Sequence, residues 1–418
     1  MALLFLCLIF GTGRTQKIEA AVQNVPESLE EESRLDTVGT DQETERAAVR
    51  EKKGQQEKEA GDTETDQAAA AQDELLAELD FDAIQQEVDS LLSSQQFSFA
   101  GTVRSLLQDG DPFRTFRAGN AVLSCAKTAF LAQKGLMKEL FLLVLAGAVL
   151  GSFSSLFEGK QVRDASFYMV YLLALALILK NFQSSGENLK AVITSLVAFM
   201  RILTPSYYLA AAAAGGASSA VMFYQMLLLV ILAVEKLLLA LVLPMIHIYL
   251  LIALVNDLSG EEILSHMTEL LETCVNGLLK SSLGVLVGMQ MIRNLIAPAL
   301  DSLRQMALWR TAGMIPGIGN AVNAVTELVA GSAVLIRNCF GVTAMLVLLA
   351  AGMVPAVQLL VSGLSFRFLA AAAQPVSDKR IAGCLAAAGK GYAMLLRLLL
   401  TVEVLFLLTI AILAGTFS

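Results

Sequence analysis

Apolar and polar positions fall into long blocks along the second two-thirds of the chain. Apolar runs recur at Leu136–Phe157, Phe167–Leu179, Ala191–Ala214, Met222–Leu254, Ser281–Ala297, Val334–Leu364 and Tyr392–Leu413. Several reach the roughly 20 residues that a helix needs to cross a hydrocarbon core about 30 Å thick. Met222–Leu254 exceeds that need. At about 1.5 Å per residue it would reach roughly 50 Å, so it is predicted to tilt or break. Pro244 is the natural place, because proline lacks an N–H and clashes with the preceding turn. Upstream, Leu75, Leu76, Leu79, Ile84, Val88, Leu91 and Leu92 recur at helical spacing. They predict an amphipathic helix. A second is expected around Val103–Leu107 and a third near Phe113–Leu131, which carries Arg114, Arg117 and Lys127. Residues 73–135 therefore read as a juxtamembrane helical cap, with a partner-docking surface as the sharper alternative.

Composition narrows the class. Only 16% of the residues are charged, against about 25% in soluble globular chains, which argues against a soluble enzyme. The charge is also split. Asn24–Gln95 holds 21 acidic and 6 basic residues, a net of −15, and the remainder is +7. A polar, acidic segment poor in aromatics cannot bury enough apolar surface to order itself, so residues 22–72 read as a disordered linker. Phosphate binding needs clustered Lys and Arg, so no nucleic-acid partner is expected. Ala2–Phe10 has the length of a signal-peptide core, and small residues near Ala20 and Ala21 offer a cleavage site. Residues 1–21 are assigned as a signal peptide, with an uncleaved anchor as the alternative. The acidic segment would then lie outside the cytoplasm. Counting Lys and Arg near helix ends places the Glu158–Asp164 and Asp378–Lys390 connections in the cytoplasm and the acidic Asn256–Asn276 connection outside.

The expected fold is an all-α polytopic membrane domain over 136–418. Within it, one order of elements occurs twice. Pro205 precedes a small-residue stretch, Ala210–Ala220, then a long apolar helix and Pro244. Pro316 precedes Gly317, Gly319 and Ala330–Ala333, then a long apolar helix and Pro355. Both proline pairs are 39 residues apart, offset by 111. Two readings stay open: an internal repeat of about 165–280 and 281–390, or chance recurrence among six prolines. Repeats joined by interrupted helices build sites in transport folds, so Pro205, Pro244, Pro316 and Pro355 are candidate helix breaks. Small residues also simply let helices approach closely.

Charges inside apolar segments are costly and usually face a bundle interior or a hydrated path. Glu235, Lys236, Arg337 and Glu403 are candidates for a conduit or interface; Arg293 and Arg337 also fit a structural, snorkelling role. Neighbouring residues on a helix do not face each other, so Glu235 and Lys236 need separate partners. The scattered Cys7, Cys125, Cys274, Cys339 and Cys384 form no metal-ligand pattern, and no cofactor is expected. Ser218 within Gly216–Ser219, with His247, matches the residue types of an intramembrane serine protease. The plainer reading is a packing stretch beside a histidine, so no enzyme is predicted.

The run from Ile315 through Asn338, continuing to Gly341 and Val342, resembles the most distinctive stretch of the stage III sporulation protein AE family. Leu308–Thr311, Gly215–Ala220, Ala370–Pro375 and Gly389–Lys390 resemble it in the same order. The resemblance implies a multi-pass subunit in the mother-cell membrane around the forespore, within a secretion-like channel complex needed for forespore development. The implied partners are other membrane subunits, ring-forming subunits and a forespore-side membrane protein, and a homo-oligomer is compatible. The resemblance carries over no catalytic residue. A stand-alone transporter for a small solute is the alternative.

Overall fold

The computed structural model describes residues 80–92, 97–109, 118–154, 160–211, 229–259, 264–312 and 319–415. Among these residues the chain is helical almost throughout and has no strand. The helices are α1 (Phe81–Leu91), α2 (Phe99–Asp109), α3 (Ala118–Ser154), α4 (Lys160–Ala211), α5 (Leu243–Ser259), α6 (Ser265–Ala312), α7 (Gly319–Ala373) and α8 (Lys379–Gly415). Among the described residues, five segments are long and apolar enough to cross a membrane: Phe167–Tyr207, Leu229–Ser259, Ser265–Met289, Gly331–Ala373 and Lys379–Ala411. The all-α polytopic expectation holds. The signal-peptide and linker assignments, over 1–21 and 22–72, lie outside the described residues.

The described helices are organised around α8. It packs along α7 in an antiparallel hairpin joined by a short turn, in which Ala373 O accepts from Val376 N and Ser377 N. Asp378 caps α8, its carboxylate accepting from Arg380 N at 3.0 Å. This satisfies one of the donors that a helix start leaves free. Glycines set the closeness of the hairpin. A Cβ at Gly363 would sit 3.3 Å from Tyr392 Cβ, and one at Gly389 would sit 2.8 Å from Arg367 Cγ. At Gly352 the space belongs to Glu403: a Cβ there would overlap the carboxylate, 1.1 Å from Oε1. Helix α4 runs parallel to α8, with Asn181 Nδ2 donating to the Tyr392 hydroxyl at 2.6 Å. The segment Leu229–Ser259 runs antiparallel to α4, tied by Tyr171 donating to Leu254 O at 2.6 Å. Helix α6 runs beside α8, with ion pairing between Lys390 and Glu272 and a 3.1 Å bond from Arg397 to Asn276.

Several sequence expectations change. The prolines do not end the helices: Pro205 lies inside α4 and Pro355 inside α7. Before Pro244 the helix widens into a π-helical segment, Leu238–Val242, and then continues. Losing one N–H interrupts a single hydrogen bond, and packing on both sides keeps the helix going. Pro316 lies outside the described residues. The second change concerns topology. Arg380 donates to Leu258 O at 3.5 Å, and a Cβ at Gly383 would lie 3.1 Å from the Asp257 carboxylate. The Asn256–Asn276 and Asp378–Lys390 connections thus share one end of the bundle, not opposite sides. The acidic residues misled the assignment, because Asp and Glu contribute little to orientation. The expected cap boundary at 135/136 also falls within α3, which runs unbroken from Ala118 to Ser154.

Helices α1 and α2 form a hairpin laid on α4 and α7. Ile84 and Val88 face inward, and Asp80 caps α1 by accepting from Ala83 N at 3.1 Å. The Gln85 amide joins the pair, donating to Phe97 O at 2.7 Å and accepting from Phe99 N at 2.8 Å. Phe81, Phe99 and Tyr207 surround Phe340, with Phe99 edge-on at 5.0 Å.

Gly352→Ala should destabilise the α7–α8 hairpin by about 1–3 kcal/mol through overpacking, and adding Glu403→Ala should recover most of that loss. Thermal unfolding in detergent checks both. Gln85→Leu should loosen α1 from α2 by about 1–3 kcal/mol, since it orphans the Phe97 carbonyl and the Phe99 N–H. Faster hydrogen exchange at the Phe99 amide is the expected readout.

Candidate functional site

The polar residues of the bundle occupy three levels along α4. At the first, the Tyr392 hydroxyl lies between Asn181 and Ser185, the latter at 3.2 Å. Phe182 sits edge-on to both Tyr392 and His247, each at 5.2 Å. His247 fills the space that Gly186 leaves open, where a Cβ would lie 2.5 Å from the ring. Its Nδ1 is 2.9 Å from Leu243 O, one turn back along its own helix. These are the contacts of a packed histidine. Ser218, the nucleophile of the protease alternative, lies outside the described residues.

The second level is a cleft of about 360 Å³ between α4 and α7, roofed by Leu91 and Leu92 of α1. Its polar lining is uncharged: Ser185 and Asn188 from α4, Gln358 and Ser362 from α7. Pro355 and Ala351 also line it. Pro355 has no N–H, so the Ala351 carbonyl loses its helical donor there. Such a carbonyl needs protein or cavity water. Sequence reasoning did not find this cleft, because the charge-based search passed over amides and hydroxyls.

The third level, at Arg201, holds a charge pair, and the other candidate charges lie elsewhere. Arg201 Nη2 donates to Glu235 Oε2 at 2.7 Å, with Arg201 about half exposed. Glu235 therefore has the separate partner that helical geometry requires. Lys236 is exposed. Arg337 is fully enclosed in α7, where Tyr207 is close enough to act on it electrostatically. It does not snorkel, because the α1–α2 hairpin and Phe340 seal that end of α7. Glu403 is 8% exposed, and its Oε1 has no hydrogen-bond partner among the described residues. The four candidate charges thus have different neighbours and do not form one constellation. The Arg293 side chain lies outside the description. Among the described residues, no group of three or more His, Cys, Asp or Glu comes together to hold a metal ion.

The helical membrane architecture agrees with the comparison by sequence. The family model described as stage III sporulation protein AE matches residues 97–416. The chain belongs to the stage III sporulation protein AE family. It is 22% identical over 291 residues to the stage III sporulation protein AE of Bacillus subtilis (strain 168), covering 69% of this chain and 73% of that protein. No solved structure matches it.

The match to the stage III sporulation protein AE family begins between α1 and α2 and runs through the end of α8. It therefore takes in all three levels along α4 and all four candidate charges. Helix α1, which roofs the cleft with Leu91 and Leu92, precedes the matched region. Membership makes the chain a sporulation protein, and its several apolar helices make it a multi-pass membrane protein.

Arg201→Ala and Glu235→Ala should each cost little stability, with a coupling between them of at most about 1 kcal/mol, because the pair is partly exposed. A double-mutant cycle on thermal unfolding in detergent measures it. Raising the salt concentration should shrink the coupling further.

Proposed function

We propose that this chain is an integral membrane subunit of the channel complex that links mother cell and forespore during sporulation. Its role in that complex is structural: it forms part of a conduit and catalyses no reaction. Family membership across residues 97–416 carries this reading. The architecture supports it, because two of the spanning segments far exceed a bilayer. Phe167–Tyr207 has 41 residues and Gly331–Ala373 has 43, so each helix would reach roughly 60 Å. Such helices project beyond the membrane and present surfaces to other subunits.

The partners in this reading are other membrane subunits, ring-forming subunits and a forespore-side membrane protein. The chain sits in the mother-cell membrane that surrounds the forespore, with its acidic N-terminal segment outside the cytoplasm.

Two measurements test the proposal. Deleting the chain from its spore-forming host should stop forespore-stage development while vegetative growth continues; normal spores would overturn the reading. The purified chain alone in liposomes should move no small solutes. Flux by the chain alone would favour the stand-alone transporter.

A further inference from the structure

One outward face of α4 changes character partway along. The stripe begins apolar, with Met169, Leu172 and Leu173 exposed. From Lys180 onward the same face exposes Gln183, Glu187, Lys190, Thr194 and Arg201. The positions follow the three- and four-residue spacing of one helical face, so this is a single surface and not two.

The polar half of that face lies at the height where neighbouring segments expose apolar side chains. Two contacts fix the height. His247 packs into Gly186, and Glu235 pairs with Arg201. Between these ties the antiparallel segment exposes Leu241, at 44%, level with Thr194 of the polar stripe. Ile248, at 48%, is exposed just beyond the first tie. Helix α8 runs parallel to α4 from the Tyr392–Asn181 bond and exposes Val404 at a similar height. One side of the bundle is therefore apolar and another polar within the same slab.

The polar side is not satisfied internally. Gln183 Nε2 donates to Glu187 at 3.2 Å, and Thr194 donates back to Lys190 O at 2.9 Å. These local bonds leave the Glu187 and Lys190 charges facing outward. A charged side chain at the bilayer centre costs about 2.5–3.5 kcal/mol even on the most lenient scale. The neighbouring cleft has the same preference: Asn188 and Gln358 line it and are themselves exposed, and the Ala351 carbonyl there lacks its helical donor.

We propose that the outer face of α4 from Gln183 to Thr194, with the adjoining cleft, is a water-bathed wall within the plane of the membrane. It lines a hydrated path for polar solutes and faces neither lipid nor a dry helix interface. This rests on the conduit reading above and assigns the surface that would form it.

The test is single-cysteine labelling of the full chain in membranes of its host, with the native cysteines replaced and membrane protein level and thermal unfolding in detergent used as the checks on folding. Thr194→Cys and Glu187→Cys are compared with Leu241→Cys and Ile248→Cys, using a charged, membrane-impermeant methanethiosulfonate. Thiolate is the reactive form and needs water, so the first pair should react at least about tenfold faster. Equal, fast reaction at Leu241→Cys would overturn the proposal by placing the whole level outside the bilayer. Slow reaction at Thr194→Cys and Glu187→Cys, with normal protein level and unfolding temperature, would overturn it by showing a covered face. The labelling pattern bears on the wall alone. The channel-subunit reading is decided separately by the deletion strain.

Discussion

The closeness of α7 and α8 is the constraint on which the rest of the described structure depends. In a membrane there is little hydrophobic drive between helices, so association relies on close packing. Gly352, Gly363 and Gly389 provide it by admitting Glu403, Tyr392 and Arg367 into spaces that any Cβ would occupy. Once the hairpin closes, α8 presents Tyr392 to α4 and Lys390 and Arg397 to α6. Helix α4 then receives His247 through Gly186, which brings in the Leu229–Ser259 segment. The order of packing runs from small residues to polar contacts between helices.

Glu403 illustrates a cost within that arrangement. A carboxyl group packed against a glycine in an apolar hairpin has exchanged water for close van der Waals contact. Burying a polar group without a hydrogen bond is unfavourable, and buried ionisable groups in membranes are usually tied to function. Glu235 shows the opposite solution. It lies near the surface and pairs with Arg201, which is ordinary structural behaviour for a partly exposed ion pair. Both residues had the same standing as candidates in the sequence. Only their surroundings separate them.

Much of the fold was legible from apolar runs. The runs at Val334–Leu364 and Tyr392–Leu413 lie within α7 and α8, and Leu136–Ser154 of the run at Leu136–Phe157 lies within α3. Two other runs, Phe167–Leu179 and Ala191–Ala214, proved to belong mostly to one helix, α4. The polar stretch between them, Lys180 to Lys190, looks like a connection because its polarity breaks the apolar run. It stays helical because only one of its faces is polar, while Phe182 and Leu189 point inward. Proline positions misled for a related reason. A missing N–H is a local loss, and tertiary packing can hold a helix through it, whether by a π segment at Leu238–Val242 or beside a cleft at Pro355.

By itself, the sequence determined that the chain is helical and membrane-embedded, because backbone groups in lipid must be satisfied within a helix and the apolar runs are long enough to span. The motif around Ile315–Asn338 also carried the family resemblance, since side-chain order survives without any knowledge of contacts. Tertiary structure decided which residues meet. Hydropathy cannot show that Gly186 makes room for His247, that Asp257 lies beside Gly383, or that Glu235 faces Arg201. Those pairings join residues far apart in the chain, and they depend on the height and rotation of each helix relative to its neighbours. The same heights set the polar face of α4 beside the apolar faces of Leu241 and Val404, which no single helix reveals on its own.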